Sequence, residues 1–422
     1  MPKNTKIKIF IGLTEVSGYF SGLEEGLNTI GVSANFFDLS GHEFKYKSKH
    51  NLYISTIQIL SKYALGNNLL QRIIAIIRLC SLIPLFIFAI FTYNIFIFSS
   101  GNSFFGLRDL RILKFLGKKV VFVYLGSDSR PPFLNRKFYD SNYLYETELA
   151  CEYFIQKIKI VEKYADYIID HPPCSHFRSK RFIQHLKLGI PIIVPSESAK
   201  ENSKVQTDYI TILHAPSYPN GKGTLEICDA IDSLISEGLK INFIKVINKT
   251  NQEVLDLISA CDFIIDELYS DTRMAKFAAE AASFGKPAIV CGYLELSDLG
   301  NLESVEIPPV HYCRPDDIKD AIKKLYLDNI YRELIGNNAK EFVEKKWSIV
   351  NVASRYNNLL RDDFPTSWYY NPNDINYIYG WGLSKNLLRK YMLEIKSFDS
   401  RFFLRIFKEK PKLQNAIESF LN

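Results

Sequence analysis

The segment Asp266–Val290, DELYSDTRMAKFAAEAASFGKPAIV, links two apolar runs through a short stretch of small residues. Five alanines surround Glu280 in this stretch, which predicts a helix that can lie very close to a sheet. A carboxylate in such a helix needs a hydrogen-bonding partner, because burying an unpaired charge is costly. We therefore expect Glu280 to accept hydrogen bonds either from a protein group or from hydroxyl groups of a ligand.

Strand and helix patterns alternate on both sides of this segment. The apolar runs at 209–216, 240–247, 263–269 and 287–293 predict strands, and the residues between them predict helices. This order is typical of a doubly wound parallel sheet. The first half of the chain repeats the alternation, beginning with the strand-like KIKIFIG at 6–12. The sequence therefore predicts an α/β protein with two Rossmann-like doubly wound domains that face each other across a cleft.

Composition changes mark the domain boundaries. The polar stretch 195–208 predicts a linker. We therefore assign one Rossmann-like domain to residues 1–195 and a second to residues 205–345. Residues 346–422 are expected to form a crossover helix and a basic, aromatic-rich C-terminal helical extension that packs back on the N-terminal domain.

Charge and cysteine content exclude several classes of protein. The chain has 422 residues, a net charge of +6 and seven scattered cysteines without a CxxC pair. This usage predicts a reduced, cytoplasmic protein with no structural metal site, and the N-terminus lacks a secretory signal pattern. Residues 385–412 contain nine basic and three acidic side chains, so the rest of the chain is neutral overall. A nucleic-acid-binding protein is not expected, because it would carry basic charge over its body as well.

Residues 79–107 contain no charged side chain. Because Pro84 and the turn-like residues 92–94 interrupt this run, we predict a buried helix at about 69–91 and a buried strand at 95–99 instead of a membrane span. Contact of this helix with a membrane surface stays open as an alternative. The basic C-terminal extension, with apolar residues at near-helical spacing, is a second candidate for binding an anionic membrane.

Ligands of open α/β sheets bind beyond the carboxyl ends of the strands. The loop His214–Thr224 lies at such a place, and Gly221 and Gly223 flank Lys222 in it. Glycines allow the backbone to approach an anion closely, and the lysine adds a positive charge. A surface turn with a solvated lysine is the simpler alternative for this loop.

A second helix start is expected within Tyr269–Ala281. A polar residue at 270–272 could cap it, with Arg273 and Lys276 in its first turns. Free amides and cations at a helix start form a second candidate phosphate site. For Glu280, two turns further on, a solvated surface carboxylate is the alternative.

The motifs HAPSYPNGKGT and EAASFGKPAIV together resemble the donor half of GT-B glycosyltransferases. The likeness is to the large, mostly retaining group that includes many bacterial surface-polysaccharide transferases. It implies that Glu280 accepts hydrogen bonds from the ribose hydroxyls of a nucleotide-sugar and that Lys222 holds the diphosphate. The resemblance covers roughly 205–360 well and residues 1–195 more loosely. By this resemblance, the second domain binds the donor and the first domain binds the acceptor.

One position departs from the group. A second glutamate usually precedes the equivalent of Glu280, and counting back places it at Thr272. A GT-B-like partner subunit that has lost donor turnover is therefore an alternative function. A non-hydrolysing sugar-nucleotide epimerase, which shares the fold, is another.

The resemblance implies a metal-independent hexosyltransferase without a resident cofactor. Its partners would be a nucleotide-diphosphate sugar and a glycan or lipid-linked acceptor of surface-polysaccharide synthesis, and its location the cytoplasm or the inner face of the plasma membrane. Leaving-group charge would be stabilised by Lys222, Arg273 and helix dipoles. An inverting enzyme would also need a base, and Asp128 and His171 are candidates. The simpler alternatives are that Asp128 caps a turn and that His171 is a packing residue in its loop. The predicted catalytic residues are Glu280, Asp128 and His171, the predicted donor-binding residues are Ser217, Gly221, Lys222, Gly223, Thr272, Arg273, Lys276 and Glu280, and the predicted acceptor-binding residues are Glu15, Ser17, Gly18, Tyr19 and Arg130.

Overall fold

The structure is a computed structural model that describes residues 7–40, 52–64, 68–140, 144–195, 208–300 and 302–422. Apart from its two end residues, the predicted linker 195–208 lies outside the described residues.

The apolar runs of the first half form one sheet. Its strands are β1 (Lys8–Leu13), β2 (Ser33–Asp38), β3 (Ile95–Ser99), β4 (Lys119–Val123), β5 (Tyr167–Asp170), β6 (Phe182–Gln184) and, from the C-terminal extension, β12 (Tyr369–Tyr370). The seven strands follow the order β2-β1-β3-β4-β5-β6-β12, and only β12 pairs antiparallel with its neighbour. All five residues of β3 are buried, as expected for a parallel strand covered by helices on both faces.

Helices cover both faces of this sheet. They are α1 (Tyr19–Thr29), α2 (Leu52–Tyr63), α3 (Leu69–Thr92), α4 (Leu110–Phe115), α5 (Arg136–Asp140), α6 (Leu144–Tyr164) and α7 (His185–Leu188). The start of α3 is fixed by a capping box in which Asn68 and Gln71 bond each other's backbone amides.

The second half forms a separate parallel sheet. Its strands are β7 (Ile210–His214), β8 (Ile241–Lys245), β9 (Phe263–Ser270), β10 (Ala288–Gly292) and β11 (His311–Cys313), in the order β8-β7-β9-β10-β11. The helices of this domain are α8 (Pro219–Lys222), α9 (Thr224–Ser236), α10 (Asn251–Ala260), α11 (Lys276–Ser283), α12 (Ile318–Leu327) and α13 (Asn329–Phe342). In both sheets the strand order reverses beside the first strand, which is the pattern of Rossmann-like domains. The predicted fold class is confirmed.

The C-terminal residues return to the N-terminal domain. The helices here are α14 (Ile349–Leu360), α15 (Lys385–Phe398), α16 (Phe402–Ile406) and α17 (Pro411–Leu421). α14 packs so closely on α1 that a Cβ on Gly26 would lie 2.2 Å from the carbonyl oxygen of Ile349. On α15, Leu388, Tyr391 and Met392 are buried in an apolar cluster with Phe133. The apolar face of the extension is therefore part of the core.

The exposure of α3 corrects one prediction. We expected a buried helix, but α3 is 24 residues long, and its most apolar 18-residue window has a mean hydropathy of 2.6 and is only 22% buried. Among the described residues it is the one helix that is long and apolar enough to cross a membrane. The following strand, β3, is buried as predicted.

Candidate functional site

A cavity of about 180 Å³ lies between the two domains. Its walls come from the loops after β1, β4 and β5, from α7, and from the segment between β9 and α11. The lining residues are Val16, Ser17, Tyr19, Leu125, Gly126, Arg130, His171, Cys174, His185, Leu186, Ile190, Asp271, Thr272, Met274, Ala275 and Lys276. Six of the predicted site residues thus meet in one place: Ser17, Tyr19, Arg130, His171, Thr272 and Lys276.

An ion pair joins the two domains at this cavity. Arg130 of the N-terminal domain donates to the Asp271 carboxylate through Nε at 2.7 Å, and a second guanidinium nitrogen lies 2.5 Å from the same oxygen. Both side chains are buried. Burial alone would lower the pKa of Arg130, but the Asp271 carboxylate raises it above its ordinary value. The thiol of Cys174 donates to Asp271 at 3.1 Å and completes the contact. Asp271 is predicted from the sequence only as a possible helix cap, and Cys174 is not predicted as a site residue.

His171 lies beside this ion pair. Its Nε2 is 2.9 Å from the carbonyl oxygen of Asp271 and can only donate to it, so the neutral ring keeps Nδ1 as an acceptor. Among the described residues, this buried Nδ1 has no hydrogen-bond partner. Burial lowers the pKa of His171, partly offset by Asp271, so the ring is neutral near pH 7. It can accept a proton from a bound hydroxyl, although with a weakened basicity.

Helix α11 starts later than predicted. A cap at 270–272 was expected, but Ser270 ends β9 and the helix begins at Lys276, after the N-cap residue Ala275. Thr272 and Arg273 therefore precede the helix, because the Ser270 hydroxyl bonds both the amide and the carbonyl of Thr272 and holds a turn there. In the part of the chain that the structure describes, no side chain caps the α11 amides, and no acid lies in the first turn of the helix. The start of α11 lines the cavity, so its free amides are available to an anion.

Lys276 adds a cation to this helix start. Its Nζ donates to the carbonyl oxygen of Pro191 at 3.1 Å. Burial lowers the pKa of Lys276, while the carboxylates of Glu280 and Glu15 act in the opposite direction.

Glu280 lies one turn after Lys276 on α11. Its Oε1 accepts a hydrogen bond of 3.1 Å from Nδ2 of Asn251, at the start of α10. The side chain is half-buried, and burial raises the pKa of this carboxyl, partly offset by Lys276 and Asn251. Among the described residues, Asn251 is the one side chain that donates to it, which leaves acceptor positions for a ligand. Asn251 was not singled out from the sequence.

The environment of Lys222 differs from the expectation. Its ammonium group lies 2.9 Å from Asp266 and 2.6 Å from Glu267, both buried on β9. Burial alone would lower the pKa of Lys222, but the two carboxylates raise it. Because these two acids already neutralise the lysine, it does not present free positive charge to a diphosphate in this conformation.

The glycines around Lys222 are covered by protein. A Cβ on Gly221 would lie 2.3 Å from the Trp381 ring, and one on Gly223 would lie 2.5 Å from Leu268. Gly223 also has a φ of 69°, which favours glycine. The glycines therefore serve close packing of the chain here, and no open phosphate loop is formed. Ser217, in the same loop, is exposed to solvent.

Residues 375–383 of the C-terminal extension, which we call the interdomain strap, contact both domains. The Trp381 amide donates to the carbonyl oxygen of Leu134 at 2.9 Å, and the Gly382 amide donates to that of Tyr269 at 2.9 Å. The Trp381 indole N–H donates to Glu267 at 2.5 Å, and its ring stacks on Tyr218. The strap therefore fixes the Lys222 loop against the N-terminal domain.

Four other predicted site residues lie outside the cavity lining. The Glu15 carboxylate accepts hydrogen bonds from the amides of Val16, Phe20 and Ser21, so it stabilises the start of α1. Gly18 is the N-cap of α1, with a φ of 72°.

Asp128 and Arg273 complete this group. Asp128 accepts from the amides of Leu125 and Gly126 and so closes a turn, while burial and then Asp170 raise its pKa to about 6. Arg273 lies over the ring of Tyr312, 4.4 Å from its centroid. Asp128 therefore caps a turn, which is the simpler of the two alternatives considered for it.

Buried neutral histidines make the protein sensitive to acid. Burial lowers the pKa of His176 and His214 to about 4 and that of His185 to about 3, from 6.5. Well above pH 6.5, these histidines are almost fully neutral in both the folded and the unfolded chain. As the pH is lowered from 6.5 towards 4, the unfolded chain binds a proton at each of these histidines before the folded chain does. The free energy of unfolding should therefore fall by up to about 1.4 kcal/mol for each pH unit and each histidine. Urea unfolding from pH 7.5 to 4.5 measures this slope.

The variant His214→Gln tests the contribution of one ring. The free energy of unfolding of this variant should depend less steeply on pH than that of the wild type. The difference should be about 1.4 kcal/mol per pH unit, which corresponds to one proton. An unchanged slope would show that His214 is not among the groups responsible.

Searches for similar proteins identify the fold. No protein-family model matches the chain, and no curated protein matches it. Solved structures do match. The Anabaena protein HepE in complex with UDP and glucose is 12% identical, with 84% of this chain and 100% of HepE covered and a TM-score of 0.50. A UDP-forming α,α-trehalose-phosphate synthase from Burkholderia xenovorans is 11% identical, with coverages of 84% and 99% and a TM-score of 0.53.

A third structure, the trehalose-6-phosphate synthase OtsA, is 10% identical, with coverages of 85% and 100% and a TM-score of 0.54. With the two facing Rossmann-like domains described above, these likenesses show that the chain has the GT-B fold.

Proposed function

We propose that this protein is a metal-independent hexosyltransferase that uses a nucleotide-diphosphate sugar. The acceptor would be a glycan or a lipid-linked precursor in surface-polysaccharide synthesis, and the place of action the cytoplasm. The observation that carries the proposal is the start of α11, where uncapped amides and Lys276 line the interdomain cavity one turn before Glu280. HepE, a structure of the same fold, is a complex with UDP and glucose.

The geometry suggests how a donor would lie. The cavity is smaller than the roughly 300–1,000 Å³ of typical small-molecule sites, so it suits the sugar-diphosphate end of a donor. The diphosphate would lie against the amides of α11 and Lys276, whose positive charge stabilises the leaving group. Glu280 lies about 6 Å further along the helix axis and would accept from the ribose hydroxyls.

The N-terminal domain supplies the opposite wall. Ser17 and His171 line it beside Arg130. The free Nδ1 of His171 can accept a proton from an acceptor hydroxyl if the reaction inverts the anomeric centre. Arg130 is held by Asp271, so it would mainly keep the two domains in register.

A sugar-nucleotide epimerase is the second candidate. Two histidines, His171 and His185, line the cavity together with Asp271, and proton transfer within the bound sugar would need such groups.

A partner subunit without donor turnover is a third candidate. It is supported by Thr272, which replaces the usual glutamate, and by Lys222, whose charge is neutralised by Asp266 and Glu267.

Incubation of the full-length protein with UDP-, GDP- and CMP-sugars separates these functions. A transferase should slowly release nucleotide from one of them, an epimerase should form an isomeric sugar, and a partner subunit should leave all of them unchanged. Glu341→Gln, at an exposed acid on α13, is a control that should behave as the wild type. Absence of turnover and of nucleotide binding together would refute the proposed function.

A further inference from the structure

An apolar surface covers the α2–α3 hairpin of the N-terminal domain. Leu52 is 89% exposed on α2, and Phe91 is 83% exposed on α3. The large apolar side chains exposed on these two helices are Leu52, Ile59, Tyr63, Leu69, Leu70, Ile73, Ile76, Ile77, Leu79, Ile83, Ile87, Phe88 and Phe91. Monomeric soluble proteins rarely expose a continuous apolar patch of this kind without a binding partner.

The charged side chains carried by α2 and α3 are all basic, and the nearest acids in the described residues, Glu24 and Asp38, lie beside Phe88 at the edge of the hairpin. Neither α2 nor α3 contains an Asp or Glu, whereas Lys62, Arg72 and Arg78 are basic. Helix α4, whose Leu110 and Leu113 pack in the same apolar cluster as the buried side of α3, carries Phe115, which is 90% exposed, and Arg111. Two apolar helices whose own charged side chains are all basic complement an anionic lipid surface, because the apolar side chains enter the acyl region while the cations meet the headgroups.

The attachment of α3 determines how it could meet a bilayer. Leu82, Leu85, Phe86 and Ala89, in its second half, are buried against the sheet. Because this half is fixed to the domain, α3 cannot cross a bilayer without losing that packing. It can lie along the surface with its exposed side in one leaflet.

We propose that the exposed face of α2, α3 and Phe115 docks on an anionic lipid bilayer. The proposal deepens the function proposed above and rests on it in one respect, because a docked enzyme would act on a lipid-linked acceptor. It replaces the basic C-terminal extension as the membrane-binding element, since the apolar face of that extension is buried in the protein core.

Vesicle flotation of the full-length protein tests the docking. We expect co-flotation with vesicles that contain phosphatidylglycerol and much weaker flotation with pure phosphatidylcholine. The variant Ile76→Glu/Ile83→Glu/Phe91→Glu should reduce the floated fraction at least about tenfold, because charged side chains are costly in the acyl region. The control Leu327→Glu/Ile330→Glu/Leu334→Glu changes residues of similar exposure on α12 and α13, and it should float as the wild type.

Three results would overturn the docking. The wild type could fail to float, the α3 variant could float as well as the wild type, or the α3 variant could convert a stable wild-type dimer to a monomer without any vesicle binding. The last result would assign the face to a second copy of the chain. Circular dichroism of the variants shows that they are folded.

Nucleotide binding separates this proposal from the proposed function. Calorimetric titration with UDP and GDP should give the same affinity for the wild type and the α3 variant. Helix α3 packs on one face of the N-terminal sheet, with Phe10, whereas α11 belongs to the cluster on the opposite face, with Ile9 and Ile11. Flotation without any nucleotide binding would leave the docking in place and refute the transferase. Nucleotide turnover without flotation would support the transferase and refute the docking.

Discussion

Replacing Glu280 by glutamine is expected to lower kcat/KM for the donor by about 10²-fold, with little change in the free energy of unfolding. The carboxylate would accept hydrogen bonds from two ribose hydroxyls, and bonds to charged groups contribute roughly 1.5–3 kcal/mol each. Glutamine keeps one acceptor oxygen but turns an amide donor towards the second hydroxyl. Release of nucleotide from the donor sugar measures the rate.

The protein offers two comparisons for this variant. Asn251→Ala removes the side-chain donor that holds Glu280 and should lower kcat/KM by a smaller factor. Lys276→Met should weaken binding of UDP more than binding of uridine, because it removes charge near the phosphate. A Glu280→Gln enzyme with wild-type kcat/KM would contradict the ribose role.

Replacing Asp271 by alanine is expected to destabilise the protein by about 3–5 kcal/mol. The change leaves the buried Arg130 guanidinium without its carboxylate, and an unpaired buried charge has a cost of that size. The indole of Trp381 lies beside the guanidinium, 5.6 Å away, but does not replace the lost charge. The midpoint of urea unfolding, monitored for both domains, measures the loss.

An exposed ion pair provides the matched control. Asp208 pairs with Lys240 at 3.1 Å, but its side chain is 82% exposed. Asp208→Ala should therefore change the free energy of unfolding by less than about 1 kcal/mol. The double variant Arg130→Met/Asp271→Leu should recover much of the stability lost in Asp271→Ala, because it removes both charges. If Asp271→Ala were as stable as Asp208→Ala, the pair would not hold the domains together.

The spacing of the apolar runs and the position of the loops after them predict much of this fold from the sequence. The alternating apolar runs predict both sheets, because strands buried on both faces contain few polar residues. The rule that ligands bind at strand carboxyl ends brings Ser17, His171 and Thr272 towards one cleft, and the structure places all three in its lining.

Other features depend on contacts that a linear pattern does not contain. Lys222 fits a phosphate loop in the sequence, yet its partners Asp266 and Glu267 lie on a strand more than forty residues later. The exposure of α3 was missed because its hydrophobicity is the same whether the helix faces a core or a lipid. The role of Trp381 could not be read from an aromatic-rich tail, because it depends on which domain the tail reaches.

The interdomain strap limits how this protein can be engineered. Gly380 and Gly382 pass so close to Leu134 and Arg136 that a Cβ at either glycine would overlap them. The same segment covers Gly221 in the other domain. A chimera that exchanges only one domain with another GT-B protein would therefore join surfaces that were not shaped for each other. Exchange of donor preference is better attempted by grafting residues around α10 and α11 than by recombining whole domains.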